Sequence, residues 1–204
     1  MGIEREGTRQ KYNRNARRYD LMEALPESLL FRRFRGRLFG LITGRRVLEV
    51  GVGTGKNMPF YPDRKIVALD FSEQMMTRAR RRAHAGGVAV SLQLMDVQSL
   101  GYRDASFDAV VATFVFCSVP EPHTGLSEIR RVLRPGGAFY ALEHVRPTAR
   151  LAGTLFDRIA PVVFARTGVH INRSTVRTIE SSGFTVEVEE NLFTDVFKLI
   201  VARR

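Results

Sequence analysis

The chain has 204 residues, 44% of them hydrophobic, which is enough for one domain with a sizeable core. Its longest apolar stretch, residues 109–119, is shorter than the ~20 apolar residues that a membrane-spanning helix needs. One cysteine, Cys117, excludes an internal disulfide, and we find no spacing typical of metal ligands.

Positive charge is concentrated near the beginning of the chain. Residues 1–46 supply +7 of the net charge of +11. Such a bias favours an anionic partner. The alternatives are a nucleic acid, a membrane surface and an acidic substrate. A solvated basic surface without a partner is the alternative. The first ten residues are charged and do not resemble a signal peptide, so we expect a soluble, cytoplasmic protein.

Two helices are predicted before the first strand, over Thr8–Ala24 and Ser28–Ile42. The second carries apolar residues at spacings of three and four, and arginines crowd its other side. We interpret residues 1–45 as a helical lid that docks on a membrane. The alternative is a helix packed on its own sheet with a solvated basic face. The residues assigned here to substrate or membrane contact are Arg32, Arg33, Phe34, Arg35 and Arg37.

After Gly44, strand-like and helical stretches alternate along the chain. The predicted strands are Arg46–Val50, Ile66–Leu69, Ala89–Met95, Ala109–Phe114 and Ala138–Leu142, with helices such as Ser72–Ala85 and Gly125–Leu133 between them. This alternation predicts an α/β fold, a Rossmann-like parallel sheet with helices on both faces. The last two runs, "FTVEVEEN" and "DVFKLIVAR", predict a hairpin and an antiparallel strand. We expect a single domain over residues 1–204, with its core in residues 46–204.

The turn after the first strand, "VLEVGVGTGKN", indicates a ligand site. Glycines at positions 51, 53 and 55 allow a ligand to approach the backbone, and their GxGxG spacing differs from the GxGxxG of dinucleotide binders. Glu49 before the turn suits a cationic ligand end. Asp70 after the second strand suits ribose hydroxyls, and Asp96 after the third suits an adenine amino group. S-adenosylmethionine has all three features; strand-end caps without a ligand are the alternative.

Together with "ALDFSEQMM", "LMDVQSL", "FDAVVATFVF" and "EIRRVLRPGGAFY", this turn resembles class I S-adenosylmethionine-dependent methyltransferases over residues 46–144. The resemblance implies a seven-stranded sheet with an antiparallel last strand. It places Glu49, Gly51 and Gly53 at the methionine end of the cofactor, whose product is S-adenosylhomocysteine. The other residues that we assign to the cofactor are Thr54, Gly55, Asn57, Asp70, Phe71, Met75, Asp96, Val97, Thr113 and Phe114.

Within that class, "YNRNARRYDLM" resembles a signature of bacterial phospholipid N-methyltransferases and ubiquinone/menaquinone C-methyltransferases. In that branch, Tyr19 would lie over the cofactor, where it has a candidate catalytic role. "TFVFCSV" and "GGAFYALEHV" resemble a group of membrane-associated, lipid- or thiol-directed methyltransferases. These resemblances imply an amphiphilic acceptor.

The residues after the fifth strand are candidates for acceptor contact. His144 has an ordinary pKa suited to proton transfer near neutrality, and it equally suits phosphate binding or a strand cap. Arg146 and the apolar, arginine-containing stretch 145–180 fit a lid on a membrane. We predict N-methylation of phosphatidylethanolamine by a monomer on the inner face of the membrane. Quinone and thiol acceptors are alternatives, and a nucleic acid is disfavoured because no NPPY-like motif follows the fourth strand.

Overall fold

The computed structural model describes residues 6–14, 27–61 and 63–204. Most of the first predicted helix, including Tyr19, lies outside these ranges. No helix within them combines the length and the apolar character that crossing a bilayer requires.

Seven strands form one sheet in the order β3-β2-β1-β4-β5-β7-β6. Strands β1 to β5 pair in parallel, and β7 pairs antiparallel with both β5 and β6. This confirms the predicted mixed sheet. The strands are β1 (Arg46–Val50), β2 (Lys65–Asp70), β3 (Ser91–Leu94), β4 (Phe107–Thr113), β5 (Leu133–His144), β6 (Thr185–Phe193) and β7 (Phe197–Arg203).

Helices connect the strands and cover the sheet. They are α1 (residues 6–14), α2 (Arg32–Leu41), α3 (Glu73–Gly86), α4 (Pro122–Val132), α5 (Arg150–Thr167) and α6 (Thr175–Ser181). A π-helical turn, Glu27–Phe31, precedes α2, and a 3-10 turn, Met58–Phe60, follows the glycine turn. Ser72 caps α3, because its Oγ accepts a hydrogen bond from the Met75 amide at 3.2 Å.

The two faces of the sheet carry separate apolar cores. On one face, Leu126 and Ile129 of α4 and Ile179 of α6 pack against the alternate residues of β4 and β5. On the other face, Phe34 and Leu38 of α2 pack against β1, β4, β5 and β7. Helix α3 adds a smaller cluster beside β2. The strand order reverses between β1 and β4, and ligands bind at the carboxyl ends of the strands beside such a reversal.

The packing of α2 corrects one prediction. Its apolar face does not point outward, because Phe34, Leu38, Phe39 and Ile42 are buried against the sheet. The assignment of Phe34 and Arg35 to membrane contact is therefore wrong, since both side chains are buried. Arg32, Arg33 and Arg37 are exposed, and Arg37 pairs with Glu190 of β6 at 2.7 Å.

Candidate active site

A cleft lies at the carboxyl ends of β1, β2, β3 and β4. Most residues predicted for the cofactor meet there, which are Gly51, Gly53, Asp70, Phe71, Met75, Asp96, Val97, Thr113 and Phe114. Residues that only the structure adds include Tyr12, Gln98, Val115 and Ser118. The parallel strands bring these distant segments together because each strand ends at the same edge of the sheet.

The glycine turn supplies the floor of this cleft. Gly51 and Gly53 have positive φ angles of 67° and 56°, which only glycine adopts without strain. A Cβ on Gly51 would stand 2.5 Å from a methyl group of Val115, so no larger residue fits. A Cβ on Gly53 would meet no atom within 4 Å, and its backbone faces open space in the cleft. The turn thus leaves its backbone accessible to a ligand.

Asp70 ties the glycine turn to the next helix. Its Oδ2 accepts a hydrogen bond from the Gly53 amide at 2.9 Å, and its Oδ1 accepts one from the Ser72 amide at 2.9 Å. Burial raises the pKa of this carboxyl to about 6, although the backbone donors oppose the shift. Asp96 follows the neighbouring strand β3 and also lines the cleft, and its Oδ1 accepts a hydrogen bond from the Gln98 amide at 2.8 Å.

The loop after β4 forms the remaining wall and is held from β5. Phe114 has a positive φ of 58°, an unusual conformation for an aromatic residue and one that clusters at functional sites. Its amide donates to the Leu142 carbonyl at 2.7 Å. The buried Glu143 Oε1 accepts from the amides of Val115 and Phe116 at 2.9 and 3.0 Å. Adjacent strands thus fix the loop that faces the ligand.

The buried carboxyl group of Glu143 should make the stability of the protein depend on pH. Burial raises its pKa from 4.5 to about 7. Its contribution to stability is therefore fully present below pH 4.5 and is lost as the pH rises through 7. We expect the free energy of unfolding of the ligand-free protein to fall by up to about 3 kcal/mol from Glu143 between pH 5 and pH 8. Urea unfolding across this range checks it.

Two variants serve as comparisons in that experiment. Glu143→Gln should reduce the pH dependence by this amount, because the amide does not titrate, and should leave the part that comes from the raised pKa values of Glu49 and Asp70. Glu128→Gln should leave it unchanged, since hydrogen bonds from Arg131 lower the pKa of Glu128 and place its titration below this range. The same slope in the parent and in Glu143→Gln would contradict the raised pKa.

Behind the glycine turn lies a buried polar network that reaches into α2. The Arg35 Nη1 donates to Asn57 Oδ1 and to Thr113 Oγ1, both at 2.8 Å. Its Nε donates to Glu27 at 3.0 Å, and Asn57 Nδ2 donates to Glu49 Oε1 at 2.7 Å. Because Thr113 lines the cleft, this network connects α2 directly to the site.

Glu49 is enclosed by this network. Both of its oxygens have partners, since Tyr61 donates its hydroxyl to Oε2. Burial raises the pKa of Glu49 to about 7, against the effect of these hydrogen bonds. Glu49, Thr54, Gly55 and Asn57 are not among the lining residues of the cleft, so their contact with a cofactor stays a prediction.

Comparison with known proteins decides the family. A family model described as a methyltransferase domain matches residues 48–141. A thiol S-methyltransferase of Rattus norvegicus is 31% identical over 176 residues, which cover 83% of this chain and 71% of that protein. The chain belongs to the S-adenosylmethionine-dependent methyltransferases.

Other relatives of this methyltransferase act on different acceptors. A phosphatidylethanolamine N-methyltransferase of Cereibacter sphaeroides is 43% identical over 50% of this chain and 51% of its own length. A demethylmenaquinone methyltransferase of Deinococcus radiodurans is 37% identical over 63% of this chain and 55% of its own. The chain thus spans about half the length of these two relatives. A solved methyltransferase from Thermotoga maritima has the same fold, with a TM-score of 0.72 at 20% identity over 95% of this chain and 98% of that one.

The residues of the cleft fit S-adenosylmethionine. Phe71, Met95 and Val97 give an apolar slot for a purine ring, and the carboxylates of Asp70 and Asp96 lie where strands β2 and β3 end. The open space above Gly53 leaves the backbone accessible, as close approach of a ligand requires. When bound, this cofactor supplies an electrophilic methyl group.

His144 ends β5 on the same face of the sheet as Leu142 and pairs across the strands with Phe197 of β7. Its side chain is largely buried, and neither ring nitrogen hydrogen-bonds within the described residues. Burial lowers the pKa of its imidazole, with a further contribution from Arg173. The imidazole is therefore neutral near pH 7, with a nitrogen that can accept a proton.

Three features of the site were missed in the sequence. Tyr12 lines the cleft and meets Phe71 edge-on at 6.0 Å, and the neighbouring Asn13 Oδ1 accepts a hydrogen bond from Ser72 at 2.6 Å. Glu143 fixes the loop after β4. A glutamate within the apolar run "FYALEH" was the available signal for Glu143. The signature "YNRNARRYDLM" begins at Tyr12 and was the available signal for that residue, but only Tyr19 was assigned from it.

Proposed function

We propose that this methyltransferase transfers a methyl group to the amine of phosphatidylethanolamine at a membrane surface. The observation that carries the proposal is the imidazole of His144, which has no hydrogen-bond partner within the described residues and pairs across the strands with Phe197 of an aromatic wall that continues from the cleft. A phosphatidylethanolamine N-methyltransferase that is 43% identical over half of this chain supports this acceptor.

The aromatic wall consists of Phe31, Phe114 and Phe197. Its ring centroids lie 4.8 Å apart for Phe31 and Phe114 and 5.3 Å apart for Phe31 and Phe197. Phe114 also lines the cleft, so the wall is continuous with the cleft that would hold the cofactor. Aromatic faces attract ammonium groups and pack against apolar chains, and both are parts of an amphiphilic amine.

Methyl transfer to an amine requires removal of a proton first. An alkylammonium has a pKa near ~10, like lysine, and only its neutral form has a lone pair for attack. In the proposed mechanism, a ring nitrogen of His144 takes this proton, while the glycine turn and Phe114 align the partners and exclude water. The lowered pKa keeps His144 in the form that accepts a proton.

The test is a methylation assay with vesicles of phosphatidylethanolamine and phosphatidylglycerol. We expect release of S-adenosylhomocysteine and lipids that carry added methyl groups on the headgroup, detected by mass spectrometry. His144→Ala should lower turnover by about a hundredfold with unchanged cofactor affinity, because a positioned base contributes about that much. His84→Ala, at an exposed histidine of α3, is the control.

A quinone acceptor is the second candidate, because an aromatic wall also suits a planar ring. In that case demethylmenaquinol gains a methyl group and the lipid does not. Release of S-adenosylhomocysteine only when a thiol is added would instead indicate S-methylation. Either result would replace the phosphatidylethanolamine proposal.

A further inference from the structure

Helix α5 carries an exposed apolar stripe. Leu151, Leu155, Ile159 and Val162 recur at intervals of four, four and three residues, so they share one side of the helix. Their exposed fractions are 88%, 57%, 40% and 52%. Four large aliphatic side chains in one row on a surface indicate an interaction site, whereas single exposed ones do not.

The charges around this stripe are positive. Arg150, Arg158 and Arg166 are exposed on the same helix. Its one acid, Asp157, is neutralised by Arg146 at 2.8 Å and accepts a hydrogen bond from Asn172 at 3.1 Å. The Arg146 to Asp157 pair also holds the helix against the end of β5. The exposed side of α5 is thus both apolar and cationic.

We propose that the α5 stripe docks the protein on the surface of an anionic phospholipid bilayer. A helix that combines aliphatic residues with arginines lies in the interface, where its apolar side chains enter the acyl boundary and its guanidinium groups meet phosphates. A second copy of this chain is a poor partner, because two such faces would bring six arginines together. An anionic bilayer complements both the charge and the apolar row.

The position of α5 next to the cofactor cleft supports this assignment. Lys11 of α1 donates from Nζ to the Phe164 carbonyl of α5 at 2.9 Å, and its ammonium lies 4.6 Å from the centre of the Phe164 ring. The next residue, Tyr12, lines the cleft. One short helix therefore separates the docking stripe from the site, so a docked α5 places the cleft near the bilayer surface.

Vesicle flotation tests the proposal without any methyl transfer. We expect the parent to bind phosphatidylcholine vesicles that contain phosphatidylglycerol more tightly than phosphatidylcholine alone. The double variant Leu151→Glu, Leu155→Glu should bind the mixed vesicles at least about tenfold more weakly than the parent. Leu94→Glu, at an exposed leucine of the edge strand β3, is the matched control and should bind as the parent does.

Reversing the charge of the arginines separates their contribution to vesicle binding from that of the apolar stripe. Arg150→Glu with Arg158→Glu should remove most of the preference for phosphatidylglycerol, since each basic residue near an anionic surface contributes about fivefold in affinity. Arg80→Glu with Arg81→Glu changes the charge equally on the exposed side of α3 and should retain much more of that preference. Unchanged affinity for S-adenosylmethionine in each variant shows that the fold is intact.

Equal flotation of the parent and the Leu151→Glu, Leu155→Glu variant would overturn the proposal. So would a concentration-dependent dimer, measured by sedimentation, that this variant dissociates without any change in vesicle binding. The inference rests on the proposed function in one respect, which is that an amphiphilic acceptor lies in the bilayer on which α5 would dock. Methylation of phosphatidylethanolamine in detergent micelles tests the acceptor separately, because micelles present it without a bilayer.

Discussion

Replacing Asp70 with alanine should weaken the binding of S-adenosylmethionine by about a hundredfold or more. The carboxylate holds the Gly53 amide and the Ser72 amide, each at 2.9 Å, and it lines the cleft where a ribose would lie. Each hydrogen bond to a charged group contributes about 1.5–3 kcal/mol, so loss of these bonds affects both the glycine turn and the ligand. Isothermal titration calorimetry measures the affinity.

Two further variants make this result specific. Glu73→Ala removes an exposed acid from the first turn of α3, three residues from Asp70, and should bind the cofactor as the parent does. Asp70→Asn keeps one acceptor oxygen and should have an intermediate affinity. Because the pKa of Asp70 is raised to about 6, binding by the parent should also weaken below that pH. A parent-like affinity in Asp70→Ala would refute the assignment of this cleft to the cofactor.

Replacing Arg35 with methionine should cost about 3–5 kcal/mol of stability and should weaken cofactor binding as well. The Arg35 side chain is 5% exposed and donates to Glu27, Asn57 and Thr113. Its loss leaves buried acceptors unsatisfied and removes the cation from beside the buried Glu49, and breaking such buried charged networks costs about that much. Urea unfolding and calorimetry measure the two effects.

The matched control lies two residues further along the same helix. The Arg37 side chain is 55% exposed and pairs with Glu190 at the surface, so Arg37→Met should change the stability by less than about 1 kcal/mol. Both variants replace arginine by the same residue in α2. If they unfold at the same urea concentration, the Arg35 network does not hold the helix to the site.

The sheet could be predicted because local patterns encode it. Apolar runs bounded by turns gave the parallel strands, and the two runs at the end of the chain gave the antiparallel strand β7. The acids after β2 and β3 were predicted to meet because parallel strands end at one edge. Boundaries were less exact, since the predicted third strand began at Ala89 and β3 begins at Ser91.

The basic helical region of residues 28–42 shows where a local sequence pattern is insufficient. Periodicity identified an apolar side of residues 28–42, but an apolar side fits a bilayer and a sheet equally well. The sheet covers it in the structure, and Arg35, which the pattern placed among the solvated arginines, points inward to Thr113. The one-dimensional pattern does not say what lies opposite a helix face.

The fold class, the cofactor and the acids at the strand ends can be inferred without coordinates, because they depend on periodicity and on the chemistry of single residues. Which arginine is buried and which apolar stripe is exposed became known from the three-dimensional packing alone. It also placed Glu143 under the loop that faces the cofactor. These properties depend on contacts between segments far apart in the chain, such as Arg35 with Thr113 and Lys11 with Phe164. Such contacts leave no periodic signal in the sequence of either segment.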